Sequence, residues 1–211
     1  HSLYYCCAKE VRNPDLKLYF VQLAPYSCSW FNVQQGQADF AREEKNAGMI
    51  VTCDLGNIWD IHPNDKESIA RRLVLHALKR DYGFESVICE SPTLKEWKIE
   101  GDSFVLSFND ANAWYVYNAD RSEPQGFEIA GPSGGFKPAK VMNKKTGGGS
   151  YKGAELVIKA EGVENPRRLR YLASRPWVGS LYSFDSGLPL GPFEVDARDP
   201  SEGRRKVPSA V

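Results

Sequence analysis

Gly48-Met49-Ile50-Val51-Thr52-Cys53-Asp54-Leu55-Gly56, followed two residues later by Trp59-Asp60-Ile61-His62-Pro63, is the stretch that decides how this chain is read. An apolar run of strand length passes into an acidic loop, and the loop carries one histidine beside a proline. Asn64 then offers a helix cap, Glu67 completes an Asn-x-x-Glu capping box, and Ile69, Leu73 and Ala77 recur at four-residue spacing as a buried stripe. Gly83 supplies the stop. A strand feeding a loop and then a helix is how α/β folds present chemistry at the carboxyl ends of their strands.

Upstream, the same alternation continues. Leu3 to Val11 reads as the end of a helix, broken by Asn13-Pro14-Asp15. Leu16 to Leu23 is a buried-strand candidate closed by Pro25, and Trp30 to Glu44 has helical spacing. Strand–helix–strand–helix order implies an α/β layer with a mostly parallel sheet over residues 1–90. From Val87 the texture changes. Phe104–Phe108, Trp114–Tyr117, Phe127–Ala130, Glu155–Ile158 and Arg168–Tyr171 are short alternating runs separated by Gly, Pro, Asn and Asp. They predict a β-rich, sandwich-like accessory domain over 91–197. Lys144 to Gly153 reads as a hairpin tip, and 198–211 as a polar tail.

The bulk numbers exclude several function classes. The 27 basic residues balance 27 acidic ones, so no field draws the chain to nucleic acid or an anionic membrane. No apolar run reaches membrane-span length. The five cysteines are an odd count in no metal-like spacing, which favours free, partly buried thiols over one or two disulfides. No metal or cofactor motif is present. The first residue is His1 rather than Met, as in a fragment or a cut precursor.

His62 is the candidate catalytic base, since an imidazole titrating near neutrality can take a proton from a hydroxyl and return it. Asp60 and Asp54 are candidates to orient it. Asp60, two residues away, lies on the same side of an extended segment; the competing reading is that Asp60 caps the turn. His76, inside the amphipathic helix, reads as a packing residue. Gly131-Pro132-Ser133-Gly134-Gly135 matches Gly-x-Ser-x-Gly in letters only. It lies in a β-rich region with Pro138 close behind, whereas a nucleophile elbow needs a strand before and a helix after. Trp97, Trp114, Tyr115, Tyr117, Trp177, Tyr182 and Phe184 are either core residues or a sugar-stacking platform.

Several of these segments, together with Phe20–Tyr26, Gln37, Lys66, Gly126–Gly131, Arg170-Tyr171-Leu172 and Ser186–Phe193, resemble the carboxyl-terminal half of sialate O-acetylesterases, a branch of the SGNH hydrolases. The resemblance implies the carboxyl-terminal part of a three-layer α/β/α domain. It implies serine ester hydrolysis of O-acetylated sugars (sialic acids, or in relatives plant glycans) with His62 as base and no cofactor. Many such enzymes carry an aspartate three residues before the histidine; here that position is Trp59. The acid is therefore Asp60, another group or a backbone carbonyl. The family's serine and oxyanion blocks lie on an amino-terminal segment that this sequence lacks. A complementary amino-terminal chain is the expected partner, and the chain alone is expected to be inactive. Secreted, periplasmic and lysosomal compartments suit this reading better than the cytoplasm.

Overall fold

The apolar run at the centre of the sequence does form a strand, but its sheet is small. In a computed structural model, which describes residues 2–27, 29–118, 123–143, 145–146 and 149–198, the order begins α1 (Ser2–Glu10), β1 (Leu18–Val21), α2 (Phe31–Glu43), β2 (Ala47–Ile50) and α3 (Lys66–Arg80). β1 and β2 pair in parallel, Leu18 opposite Ala47 through Val21 opposite Ile50. Side chains alternate across a strand, so Tyr19 stacks on His76 of α3 while Phe20 packs on Phe40 of α2. The two helices therefore cover opposite faces of a two-stranded sheet.

Eleven strands follow: β3 (Thr93–Glu100), β4 (Ser103–Asn109), β5 (Ala113–Val116), β6 (Phe127–Ala130), β7 (Lys137–Val141), β8 (Lys145–Thr146), β9 (Ser150–Lys152), β10 (Leu156–Ala160), β11 (Arg168–Tyr171), β12 (Leu181–Ser183) and β13 (Phe193–Asp196). They make an antiparallel seven-stranded sheet in the order β13-β11-β6-β7-β10-β4-β3 and a four-stranded sheet, β12-β5-β9-β8. Inward positions alternate along each strand. Phe104 and Leu106, Ile129, Leu156 and Ile158, Leu169 and Tyr171, Trp114 and Leu181 are all fully buried in one cluster. Each such side chain contributes about 1.5–3 kcal/mol on burial, which makes this cluster the main source of stability.

The expected three-layer α/β/α class is thus incorrect: the chain is mainly β. The alternation of helix and strand over the first ninety residues was extrapolated to a large parallel sheet. Among the described residues only two strands pair in parallel, and the chain leaves β2 to enter the β core instead. Val51 and Cys53 join the same buried cluster as the antiparallel sheets. The Gly179 amide donates to the Cys53 carbonyl at 2.8 Å, and the Cys53 thiol donates to the Leu190 carbonyl at 3.3 Å. Further up, Ser29 Oγ donates to the Ala173 carbonyl and Gln35 Nε2 to the Pro192 carbonyl.

Two local expectations also shift. The cap of α3 is Asp65, not Asn64: its carboxylate accepts from the Ser68 amide at 2.9 Å, and Glu67 pairs with Arg71 instead of closing a capping box. The most buried residues of α3 are Arg72 and His76, while Ile69, Leu73 and Ala77 are only half-buried. The physical reason lies on β2. The Asn46 and Ile50 carbonyls point to β1, accepting from the Leu18 and Gln22 amides. Ala47 and Val51, one residue on, point the other way, and they accept from Arg80 Nη1 at 2.5 Å and Arg72 Nη1 at 2.7 Å. Spaced four apart on one helical face, Arg72, His76 and Arg80 line β2; the two arginines satisfy carbonyls that a further strand would otherwise meet, and His76 between them stacks on Tyr19.

Cys6 and Cys7 are exposed and Cys53 and Cys89 buried, all four free thiols; Cys28 and the tail from 199 lie outside the described residues. So do parts of the expected tip at 144–153. Among the described residues no helix is long and apolar enough to cross a membrane.

Candidate active site

Beyond β2 the backbone turns at Thr52–Leu55, closes a short bridge between Asn57 and Asp60, and presents His62 on the surface. Asp60 organises this loop. Its Oδ1 accepts the His62 amide at 2.9 Å and lies 3.6 Å from His62 Nδ1. Asp60 thus caps the turn, and the same oxygen stands near the imidazole at a distance longer than a hydrogen bond. Asn57 holds the preceding turn through the Trp59 amide, and Lys66 Nζ holds the following one through the Pro63 carbonyl at 2.6 Å. The imidazole is 84% exposed, and Trp59 beside it is equally open. No described serine or thiol is hydrogen-bonded to the ring. Two concavities, one lined by Pro25, Trp30, Cys53 and Trp177 and the other by Trp30, Phe31, Arg170 and Glu194, include neither Asp60 nor His62 in their walls.

Asp54 is not part of this pair. Its side chain is 2% exposed and is gripped by Arg72, Nη1 to Oδ1 at 2.7 Å and Nη2 to Oδ2 at 2.5 Å. Tyr182 on β12 donates to Oδ2 at 2.9 Å. Burial opposes the Arg72 charge, but the Asp54 hydrogen bond and charge outweigh it, so the guanidinium pKa rises. Burial, reinforced by Asp54, pushes the Tyr182 hydroxyl far up. This triad ties α3, the end of β2 and the four-stranded sheet together. Sequence reasoning missed Arg72 and the role of Tyr182. The available signal was the Arg72–His76–Arg80 spacing, which puts three polar groups on a face that meets a sheet.

Other nucleophile candidates are not poised. The Cys53 thiol is buried and its pKa is pushed well up by desolvation. Ser133 is exposed in the turn between β6 and β7. His76 is fully buried, stacked on Tyr19 at 5.5 Å, with both ring nitrogens lacking a hydrogen-bond partner and with its pKa lowered by desolvation. Together with Cys89 and Glu90 it forms the one described group whose ligand atoms, within 4.8 Å of one another, could meet a metal ion. Arg80 already occupies Glu90 Oε1 at 2.8 Å, and its positive charge opposes a cation there.

The aromatic residues divide. Trp114 is wholly buried, and Trp97 and Trp177 pack on the core. Tyr115, Tyr117, Tyr182 and Phe184 instead share the outward face of β5 and β12.

These features define a mainly β body with a small parallel α/β unit and an exposed carboxylate–histidine pair on the loop leaving that unit. The same fold occurs in a carbohydrate acetylesterase from Xanthomonas citri, at 29% sequence identity and a TM-score of 0.75. The match covers 90% of this chain and 43% of that one, so the chain spans less than half of that protein's length. Neither a family model nor a curated protein sequence matches the chain.

Proposed function

We propose that this chain is the histidine-bearing part of a carbohydrate O-acetylesterase, with the nucleophilic serine supplied by a polypeptide segment outside it. The observation that carries this reading is the Asp60–His62 pair, a general base beside a carboxylate on a strand-end loop. The fold shared with a carbohydrate acetylesterase more than twice as long supports it. The exposed Trp59 and Ile61 beside His62 support an apolar contact with the missing segment.

In this mechanism His62 Nε2 takes the serine proton as the oxygen attacks the acetyl carbonyl. The tetrahedral intermediate collapses, the sugar oxygen leaves with that proton, and an acetyl-enzyme remains. His62 then deprotonates water, which attacks the acyl carbon and releases acetate and the serine. Asp60 holds the imidazole and stabilises its charged form. The substrate the sequence resemblance implies is an O-acetylated sialic acid.

The test is an assay of acetate release from O-acetylated sialic acid and from acetylated xylan. The purified 211-residue chain is assayed alone and together with any polypeptide that co-purifies from native material. The chain alone is expected to show no serine-inhibitor-sensitive turnover, and the assembled material to show it. Serine-dependent turnover by the homogeneous chain would sink the shared-site reading; no turnover of either ester by the assembly would sink the esterase reading.

A further inference from the structure

The outward face of β5 and β12 carries a row of aromatic rings that the core does not use. Tyr115 lies directly opposite Tyr182, and the two stack at 5.2 Å. Tyr117 contacts Tyr182 diagonally at 6.2 Å, and Phe184 contacts Tyr115 at 5.0 Å. The Tyr117 amide bonds to the Ser180 carbonyl and the Phe184 amide to the Ala113 carbonyl, so the ladder continues past both strand ends. Tyr117 and Phe184 are therefore about four residues apart along the strand axis, or ~13 Å. The middle of the row is sunk, with Tyr182 only 9% exposed, while Tyr117 is 73% and Phe184 56% exposed.

We propose that this row, with Tyr117 and Phe184 at its ends, is a carbohydrate subsite for a short chain of pyranose units. Three observations carry this. Exposed aromatic faces in a row cost free energy in water and mark a contact surface. Their negative ring faces suit the apolar C–H faces of sugars, and the tyrosine hydroxyls suit the sugar's own hydroxyls. The row is longer than one sugar ring, so it takes an oligosaccharide. The Tyr182–Asp54 hydrogen bond joins the row to the segment that leads into the His62 loop. The subsite deepens the esterase reading, on which its biological meaning rests: it holds an acetylated oligosaccharide.

The experiment is a calorimetric titration of the 211-residue chain with xylohexaose, with xylose as the comparison probe. Xylohexaose is expected to bind in the millimolar range or tighter, and xylose at least several-fold more weakly. Y117A and F184A should each weaken xylohexaose by roughly tenfold, about 1.4 kcal/mol, with unchanged circular dichroism because both side chains are exposed. H62A should leave binding intact. Absent xylohexaose binding, binding unaffected by the Y117A/F184A double variant, or xylose bound as tightly as xylohexaose would overturn the proposal. So would amide protection of β5 and β12 by a co-purifying polypeptide with no sugar binding. Sugar binding without acetylesterase activity in the assembled protein would refute the esterase reading alone; activity without sugar binding would refute the subsite alone.

Discussion

Two carboxylates lie six residues apart on one segment, and the structure treats them oppositely. Asp54 is sealed between Arg72 and Tyr182, while Asp60 stands at the surface against His62. In the first pair every strong hydrogen-bonding group is committed, so it holds helix to sheet. In the second, the imidazole has its Nδ1 side near a carboxylate and its other nitrogen open to whatever approaches. A buried pair of this kind stabilises; an exposed, half-satisfied pair is available for proton transfer.

The comparison is broken most severely at His62. In the assembled enzyme, His62→Ala should lower turnover of an acetyl ester by several orders of magnitude while the melting temperature stays nearly unchanged, since the ring packs on nothing. Steady-state kinetics alongside calorimetry check both halves. Near-normal turnover by the folded variant would remove His62 from the base role. Asp60→Asn comes next. If the carboxylate orients and stabilises the imidazolium, turnover should fall on the order of 10⁴-fold. The amide oxygen can still accept the His62 amide, so the loop should persist. A loss below tenfold would instead leave Asp60 as a turn cap.

Arg72→Ala probes the other member of the comparison. It strands the buried Asp54 and frees the Val51 carbonyl, and removing one partner of a buried pair costs about 3–5 kcal/mol. Urea denaturation should show that loss. The Asp54→Leu/Arg72→Met double variant should recover part of it, because no charge is then left unpaired. Tyr182→Phe removes one hydrogen bond and should cost about 1–3 kcal/mol, the charged acceptor setting the upper end. If Arg72→Ala cost no more than Tyr182→Phe, the ion pair would not be what holds α3 to the β body.

What could be read from the sequence was local. The strand at 47–50, the helix at 66–80 and five of the eleven later strands (β4, β5, β6, β10 and β11) follow from periodicity and turn residues, because those signals lie within one element. That Asp60 and His62 lie near each other was legible for the same reason, as two residues in one loop, and the structure places Oδ1 3.6 Å from Nδ1. Asp54 was grouped with them because its true partners sit 18 and 128 residues away. The buried face of α3 was misread because apolar pattern counts Arg72, His76 and Arg80 as outward-facing. The two arginines turn inward because the outward carbonyls of β2 need donors, and His76 because its ring stacks on Tyr19. The same blindness produced the wrong fold class. Nothing in residues 1–90 announces that Val51 and Cys53 leave a two-stranded sheet to join a β core formed by later residues.

The smallest expected effect concerns that inward-facing histidine. His76 is fully buried against Tyr19, and Gly48 packs so closely that a Cβ there would fall 2.6 Å from Nδ1. Desolvation lowers its pKa below the ordinary 6.5; Glu90 and the Met49 backbone act in the opposite sense, and Arg80 adds to the lowering. The unfolded chain therefore binds a proton on this ring more readily than the folded one. Stability contributed by the neutral ring is fully present above pH 6.5 and is lost as pH falls from there through the lower folded-state value. Denaturation midpoints measured from pH 8 down to pH 5 should decline more steeply for the native chain than for His76→Gln, which keeps a polar side chain of similar reach but does not titrate. Glu90, 3.7 Å from Nδ1, also faces the ring, so Glu90→Gln should steepen the decline by removing the charge that favours protonation in the folded state. Parallel curves for the native chain and His76→Gln would show that the imidazole titrates alike in both states, and that its burial exerts no pH-dependent control over the fold.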